Sequence, residues 1–210
     1  VKKSLTIKEK FSLAFYNHKK NNLKVAASLY NEILKINSNH FEANYLLGSL
    51  LLQTKRFDKA QQLFEKALKI NSNHGDTYNN LGITFGELKK PDKAIDCFEK
   101  AIKILPENAN AFNNIGNEYK NLGKIKEAIN SYQKAIEIEP DNIKTYNNLG
   151  LAFVAAGERK VNLIEEPIVD AKQIHEFKNA INCFKKIIEI KPHDSQAYNN
   201  LGVVFNTIGE

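Results

Sequence analysis

A five-residue motif, an aromatic residue followed by Asn-Asn, Leu or Ile and then Gly, occurs four times in this chain of 210 residues. The copies begin at Tyr78, Phe112, Tyr146 and Tyr198. The first three copies are 34 residues apart, and the last interval is 52 residues, one period plus 18. A fixed period of this length indicates an array of small repeats, each stacked on its neighbours, instead of one globular domain around a single core.

The second half of each period carries a further pattern of alanines, an aromatic residue and a closing proline. In the best-matched stretch these residues are Ala128, Tyr132, Ala135 and Pro140, and each has an equivalent 34 residues earlier at Ala94, Phe98, Ala101 and Pro106. Apolar residues within each half follow the i, i+3, i+4, i+7 spacing of an amphipathic helix. The pattern resembles the tetratricopeptide repeat (TPR), a 34-residue helix–turn–helix.

This resemblance implies an all-α fold, a right-handed superhelical solenoid of antiparallel helix pairs that forms a single TPR array over residues 1–210. We expect repeats at 7–40, 41–74, 75–108, 109–142 and 143–194, followed at 195–210 by a half repeat with helix A alone. The first two repeats depart from the pattern: the second has Asn44 in place of an aromatic residue and Ser72 in place of the proline, and the first has Ile33 and Ser38 at the later positions.

In this family the inner, concave surface is formed by helix A, at repeat positions 2, 5, 6, 9, 12 and 13, which lie on one helical face. Positions 5 and 6 are asparagine in four repeats, and Asn117 follows at position 9; we call this set the Asn ladder, comprising Asn79, Asn80, Asn113, Asn114, Asn117, Asn147, Asn148, Asn199 and Asn200. The ladder resembles the one lining the repeats of O-linked N-acetylglucosamine transferase-like superhelices. An amide carries donors and an acceptor and can pair with a peptide backbone of any sequence. Alternatively, the position-6 amides simply bond the adjacent helix.

The first two repeats carry aromatic residues on the same predicted surface. Phe15 and Tyr45 replace asparagine there, beside a cluster of lysines. We expect them to extend the peptide-binding surface with apolar contacts.

An insertion at 158–175 lies at the turn inside the fifth repeat. It contains six aliphatic residues and Pro167. A flexible loop would be poorer in aliphatics, so we predict an ordered excursion that extends one or both helices and breaks at Pro167. Two roles stay open, a structural elaboration and a partner-docking element.

The net charge of +6 belongs to one end of the chain. Residues 1–40 carry eight lysines and two glutamates, whereas residues 41–210 carry 22 basic and 22 acidic residues. Two arginines in the whole chain and a basic excess confined to one end argue against nucleic-acid binding.

Other classes of site find little support in the sequence. No apolar run reaches the roughly 18 residues of a membrane span, and no signal peptide is recognised. The two cysteines, Cys97 and Cys183, suggest reduced thiols and a cytoplasmic protein. The five histidines form no ligand cluster, and no catalytic motif is found, so we expect no metal, no cofactor and no catalysis by this chain.

The leading hypothesis is therefore a protein- or peptide-binding scaffold that holds an extended segment through the Asn ladder. One alternative is the substrate-recruiting arm of a larger transferase enzyme. Another is self-association through the C-terminal half repeat, where Phe205 and Ile208 lack a helix B partner.

Overall fold

The computed structural model describes residues 5–158 and 171–209. Within these ranges every regular element is an α-helix, so the predicted all-α fold is confirmed there. The eleven helices of the described part are α1 Ile7–Lys19, α2 Leu23–Ile36, α3 Phe41–Gln53, α4 Phe57–Ile70, α5 Gly75–Glu87, α6 Pro91–Ile104, α7 Ala109–Asn121, α8 Ile125–Ile138, α9 Ile143–Glu158, α10 Ala171–Ile190 and α11 Ser195–Ile208.

The chain divides into two compact units, Val1–Pro106 and Glu107–Glu210. In the first unit α1 packs on α2, α3 on α4 and α5 on α6, and each pair also contacts the next. In the second unit α7 pairs with α8 and α9 with α10, and α11 packs on α10. The odd-numbered helices are therefore the A helices of the repeats and the even-numbered ones are the B helices. Each unit is a stack of TPR helix pairs.

Side-chain caps fix where most A helices begin. Thr6 forms a capping box with Glu9 at α1, in which each side chain bonds the other's backbone N–H. The corresponding residue before α3, α5, α7 and α11 accepts a hydrogen bond from the third backbone N–H of its helix, and these residues are His40, His74, Asn108 and Asp194. Such caps satisfy donors that a helix leaves unpaired. The cap residues thus determine at which residue each of these A helices begins.

A glycine on helix A lets the aromatic ring of helix B approach closely. A Cβ atom built on Gly116 would lie 2.6 Å from Cε1 of Tyr132, closer than carbon atoms pack. The same relation joins Gly48 to Phe64, Gly82 to Phe98 and Gly150 to Phe184. The four rings are among the largest fully buried side chains. This contact lies at the core of four of the five helix pairs, and in the α1–α2 pair Ala14 takes the place of the glycine.

The turn inside the fifth repeat differs from the others. In the first four repeats the residue at position 15 adopts positive φ between the helices, at Asn21, Lys55, Lys89 and Gly123. The equivalent Gly157 is instead helical and buried against Phe177. The insertion therefore replaces a tight turn with a continuing helix.

Residues of the insertion lengthen both helices of that repeat, as the sequence predicts. Helix α9 runs to Glu158 and has 16 residues, and α10 begins at Ala171 and has 20, against 13 and 14 in the preceding pair. Nε2 of Gln173 donates to the carbonyl oxygen of Gly157 at 2.9 Å and ties the extensions together. The predicted break at Pro167 lies outside the described residues.

Candidate functional site

The candidate site is the face of the A helices formed by repeat positions 2, 5, 6, 9, 12 and 13, which we call the A-face. In the first unit it belongs to α1, α3 and α5, and in the second to α7, α9 and α11. Neighbouring A helices within a unit contact each other, as α3 does α5 and α7 does α9. Side chains from successive repeats therefore lie side by side on this face.

In the first unit the A-face is aromatic at α1 and α3. Phe15 is exposed, and Nζ of Lys19 lies 4.6 Å from its ring centroid, within cation–π distance. Tyr45 is half-buried, stacked with Phe41 and edge-on to His74. Burial, and then the charge of Asp76, raise the pKa of Tyr45 above its usual value. These two rings offer apolar contact area beside mobile lysine charges.

Helix α5 contributes the two ladder residues of this unit. Asn79 and Asn80 are both half-buried. Nδ2 of Asn80 donates to Oγ of Ser49, at position 9 of the preceding A helix, at 3.3 Å. The position-6 amide is thus oriented by its neighbour, as the alternative sequence interpretation anticipates.

In the second unit Asn113 does not lie on an accessible surface. Its side chain is only 4% exposed, and its Oδ1 accepts hydrogen bonds from Oγ1 of Thr145 at 3.4 Å and from Nδ2 of Asn148 at 3.0 Å. The expectation that Asn113 contacts a ligand is therefore corrected: its amide holds α7 against α9. Thr145, at position 3 of the next repeat, covers it.

A hydrogen-bond network orients the exposed amides of this unit. Nδ2 of Asn148 also donates to Oδ1 of Asn117 at 3.1 Å, and the same oxygen accepts from the Tyr132 hydroxyl at 2.8 Å. One repeat further on, Nδ2 of Asn200 donates to Oδ1 of Asn147 at 2.9 Å. Asn114, Asn117, Asn147, Asn148 and Asn200 are half-buried, and Asn199 is exposed.

The network leaves a defined set of polar atoms for a ligand. Within the described residues no hydrogen bond engages Oδ1 of Asn148 or Asn200, or Nδ2 of Asn117 or Asn147. Two acceptor oxygens and two donor NH2 groups therefore remain available to a ligand. Each belongs to an amide whose other polar atom is already hydrogen-bonded. An extended peptide backbone presents the complementary carbonyl and N–H groups.

Two contributors, Ser49 and Tyr132, do not emerge from the sequence interpretation. Ser49 receives the amide of Asn80, and Tyr132 reaches the A-face from helix B through Asn117. The sequence carries no consistent signal for Ser49: a polar residue at position 9 precedes Asn80 and Asn148 at position 6 of the next repeat, but Ile83 precedes Asn114 and Leu151 precedes Asn200.

Other residue types offer no comparable site in the part of the chain that is described. There, no group of three histidine, cysteine or acidic residues is arranged to hold a metal ion. Burial raises the pKa of both Cys97 and Cys183 to about 12. Of the described helices, none has the length together with the apolar character needed to cross a bilayer.

The fold and this face define a class, the helical-repeat proteins built from stacked TPR pairs. Sequence-family comparison agrees, matching "Tetratricopeptide repeat" at residues 39–107 and 97–130 and "TPR repeat" at residues 116–157. Together these matches run without a gap over more than half of the chain. The chain belongs to the tetratricopeptide repeat family. A comparison with curated proteins finds no match.

Solved structures show the same fold. A crystal structure of MamA aligns with a TM-score of 0.72 at 23% identity, covering 88% of this chain and 95% of that one. MamA from Desulfovibrio magneticus RS-1, from residue 41 to its end, gives 0.73 at 21% identity, with 90% and 97% covered. YrrB, described as "a TPR protein with an unusual peptide-binding site", gives 0.68 at 21% identity, with 91% and 89% covered.

Proposed function

We propose that this chain is a scaffold that binds extended polypeptide segments on its A-face, with the Asn ladder pairing to the ligand backbone. The observation that carries the proposal is the set of oriented amides at Asn117, Asn147, Asn148 and Asn200. Because each amide is already bonded at one end, little side-chain entropy is lost when the other end meets a ligand.

The chemistry of the ladder favours a peptide over other ligands. Amide groups are neutral and pair with both carbonyl and N–H groups, so they read a backbone and tolerate varied side chains. The aromatic rings of Phe15 and Tyr45 add apolar contact in the first unit. YrrB offers a precedent for peptide binding by a protein of this fold. The role needs no cofactor and no catalytic group on this chain.

A matched pair of variants tests the proposal. The A-face variant carries Asn117→Ala, Asn147→Ala and Asn200→Ala, and the control carries Asn31→Ala, Asn130→Ala and Asn182→Ala at exposed positions of B helices. Peptides are first selected on the wild-type chain from a displayed random library, and their affinities are then measured by fluorescence anisotropy. Circular dichroism checks that both variants remain helical.

We expect the selected peptides to bind the A-face variant at least tenfold more weakly and to bind the control with unchanged affinity. Loss of one good amide–backbone hydrogen bond costs about 1 kcal/mol, so three losses exceed one factor of ten. Equal affinities for the two folded variants would contradict the ladder as the binding element.

A second candidate function, self-association, is favoured by the exposed side of α11. Tyr198 is exposed, and no heavy atom lies within 4 Å of a Cβ atom built on Gly202, one turn further along the same side of the helix. Burial of this side against a second copy would be favourable. Light scattering across a wide concentration range tests this: a mass that rises with concentration, and no longer rises in Tyr198→Lys, supports it, whereas a constant monomer mass excludes it.

A further inference from the structure

The A-face of the first unit carries opposite charges on its two outer helices. Helix α1 presents Lys8 and Lys19 at repeat positions 2 and 13, and α5 presents Asp76 and Glu87 at the same two positions. All four side chains are exposed. Repeat positions 2 and 13 are therefore positively charged on α1 and negatively charged on α5.

Among the described residues, none of these four charges forms an ion pair. The ion pairs of lysine with an acid there are Lys10–Glu32, Lys100–Asp96, Lys186–Glu189 and Lys191–Asp194, and His40 lies beside Glu42. None of them includes the four charged A-face residues. On α1 the other acid, Glu9, is held in the capping box with Thr6. Nζ of Lys19 lies over the Phe15 ring, and all four charged side chains are exposed enough to meet a ligand.

Helix α3, between the charged helices, offers three apolar side chains on its A-face. They are Tyr45, Leu46 and Leu52 at positions 5, 6 and 12, all half-buried. Positions 2, 9 and 13 are polar, and of these Glu42 and Gln53 are exposed. A ligand that crosses α3 over positions 5, 6 and 12 therefore meets a ring and aliphatic groups before it reaches α5.

The helix spacing sets the length of ligand that would span this pattern. Packed helices lie about 8–10 Å apart, so two steps from α1 to α5 cover roughly 20 Å. An extended peptide rises about 3.3 Å per residue, so about six residues lie between its two charged ends.

We propose that the first unit selects the direction of its ligand: it binds an extended peptide whose acidic residues lie on α1 and whose basic residues lie on α5, with apolar residues between them over α3. This inference rests on the proposed peptide-binding function and adds to it a charge pattern and an orientation. A nucleic acid fits the face poorly, because Asp76 and Glu87 would repel its phosphates where the lysines attract them.

The probes are synthetic fluorescent peptides of one composition with blocked ends. Two of them carry aspartates at one end, lysines at the other and about six apolar residues between, and they differ only in which end is acidic. Three further peptides replace the charged residues with aspartate alone, lysine alone or serine alone. A single-stranded oligonucleotide serves as the nucleic-acid probe.

Two charge-reversed variants keep the net charge of the chain. The A-face reversal is Lys8→Glu, Lys19→Glu, Asp76→Lys and Glu87→Lys. The control reversal is Lys24→Glu, Lys35→Glu, Asp92→Lys and Glu99→Lys, at exposed residues of α2 and α6. Affinities are measured at low and high salt, because exposed pairs are screened as ionic strength rises.

We expect the wild-type chain to prefer one of the two mixed-charge peptides by about tenfold, since each exposed pair contributes modestly. The A-face reversal should prefer the opposite peptide, the control should keep the wild-type preference, and high salt should reduce both preferences. Equal binding of both mixed-charge peptides, or tightest binding of the oligonucleotide or of the all-aspartate peptide, overturns the inference. If the serine peptide binds equally well and loses affinity in the Asn117, Asn147 and Asn200 variant, peptide binding stands without the charge rule. If no peptide binds, both proposals fail.

Discussion

Nδ2 of Asn148 donates a 3.0 Å hydrogen bond to Oδ1 of the buried Asn113, which lies one A helix earlier in the chain. This hydrogen bond satisfies the side chain of Asn113, which would be costly to bury unpaired. It also fixes the Asn148 amide, whose Oδ1 accepts no hydrogen bond within the described residues. The amides that we propose to bind a ligand therefore also hold neighbouring repeats together.

The Asn113–Asn148 bond should be measurable as a coupling energy. We expect Asn113→Ala to lower the free energy of unfolding by about 1–3 kcal/mol, because donors of Thr145 and Asn148 lose their acceptor. A double-mutant cycle with Asn148→Ala, read by urea denaturation, should give a coupling of about 1 kcal/mol. The exposed pair Asn130 and Asn182 is the control, and additive effects at both pairs would refute the packing role.

The close approach of helix pairs predicts opposite effects of one substitution at two glycines. Gly116→Ala places a methyl group against the fully buried Tyr132 ring and should destabilise the chain by about 1–3 kcal/mol. Gly202→Ala meets open space and should stabilise α11 by up to about 1 kcal/mol through helix propensity. Thermal unfolding of both variants decides; a loss of stability at Gly202→Ala would mean that this side of α11 is covered in solution.

Two buried tyrosines at the same repeat position should respond differently to loss of the hydroxyl. Tyr132 donates to Asn117 at 2.8 Å, whereas no partner for the Tyr30 hydroxyl is present among the described residues. We expect Tyr132→Phe to cost about 1 kcal/mol and Tyr30→Phe to be neutral or stabilising. Chemical denaturation of the two variants provides the comparison, and a larger loss at Tyr30→Phe would contradict it.

The rate at which the two cysteine thiols are alkylated should reflect their burial. Burial raises the pKa of Cys97 and Cys183 to about 12, and because a thiol is reactive as its thiolate, both should resist alkylation in the folded chain at neutral and mildly alkaline pH. The reactive fraction should increase as pH approaches that value and on unfolding in urea. Fast labelling of the native chain by iodoacetamide at pH near 8, followed by mass spectrometry, would show that the thiols are accessible.

Much of the fold follows from the repeat. The spacing of Gly82 to Phe98 and of Gly116 to Tyr132 identifies which residues meet across each helix pair, and the structure shows these contacts. The insertion illustrates the limit of periodicity, since Gly157 occupies a turn position by register and yet stays helical. Local register does not determine whether a helix continues when the next segment supplies new packing.

The candidate site is less predictable than the fold. Asn113, Asn147 and Asn199 occupy the same repeat position and yet are buried, half-buried and exposed in turn. The difference depends on the neighbouring repeat, which places Thr145 and Asn148 over Asn113. The motif Asn-Asn therefore predicts the face, and tertiary packing decides which amide on it remains accessible.

The most direct test of the central claim is nuclear magnetic resonance of the asparagine side-chain amides in an isotope-labelled chain titrated with a selected peptide. We expect the NH2 resonances of Asn117 and Asn147 to shift as the peptide binds, while those of Asn130 and Asn182 on the B helices stay unchanged. Saturable binding that shifts only B-helix amides, and leaves Asn117 and Asn147 unchanged, would contradict it.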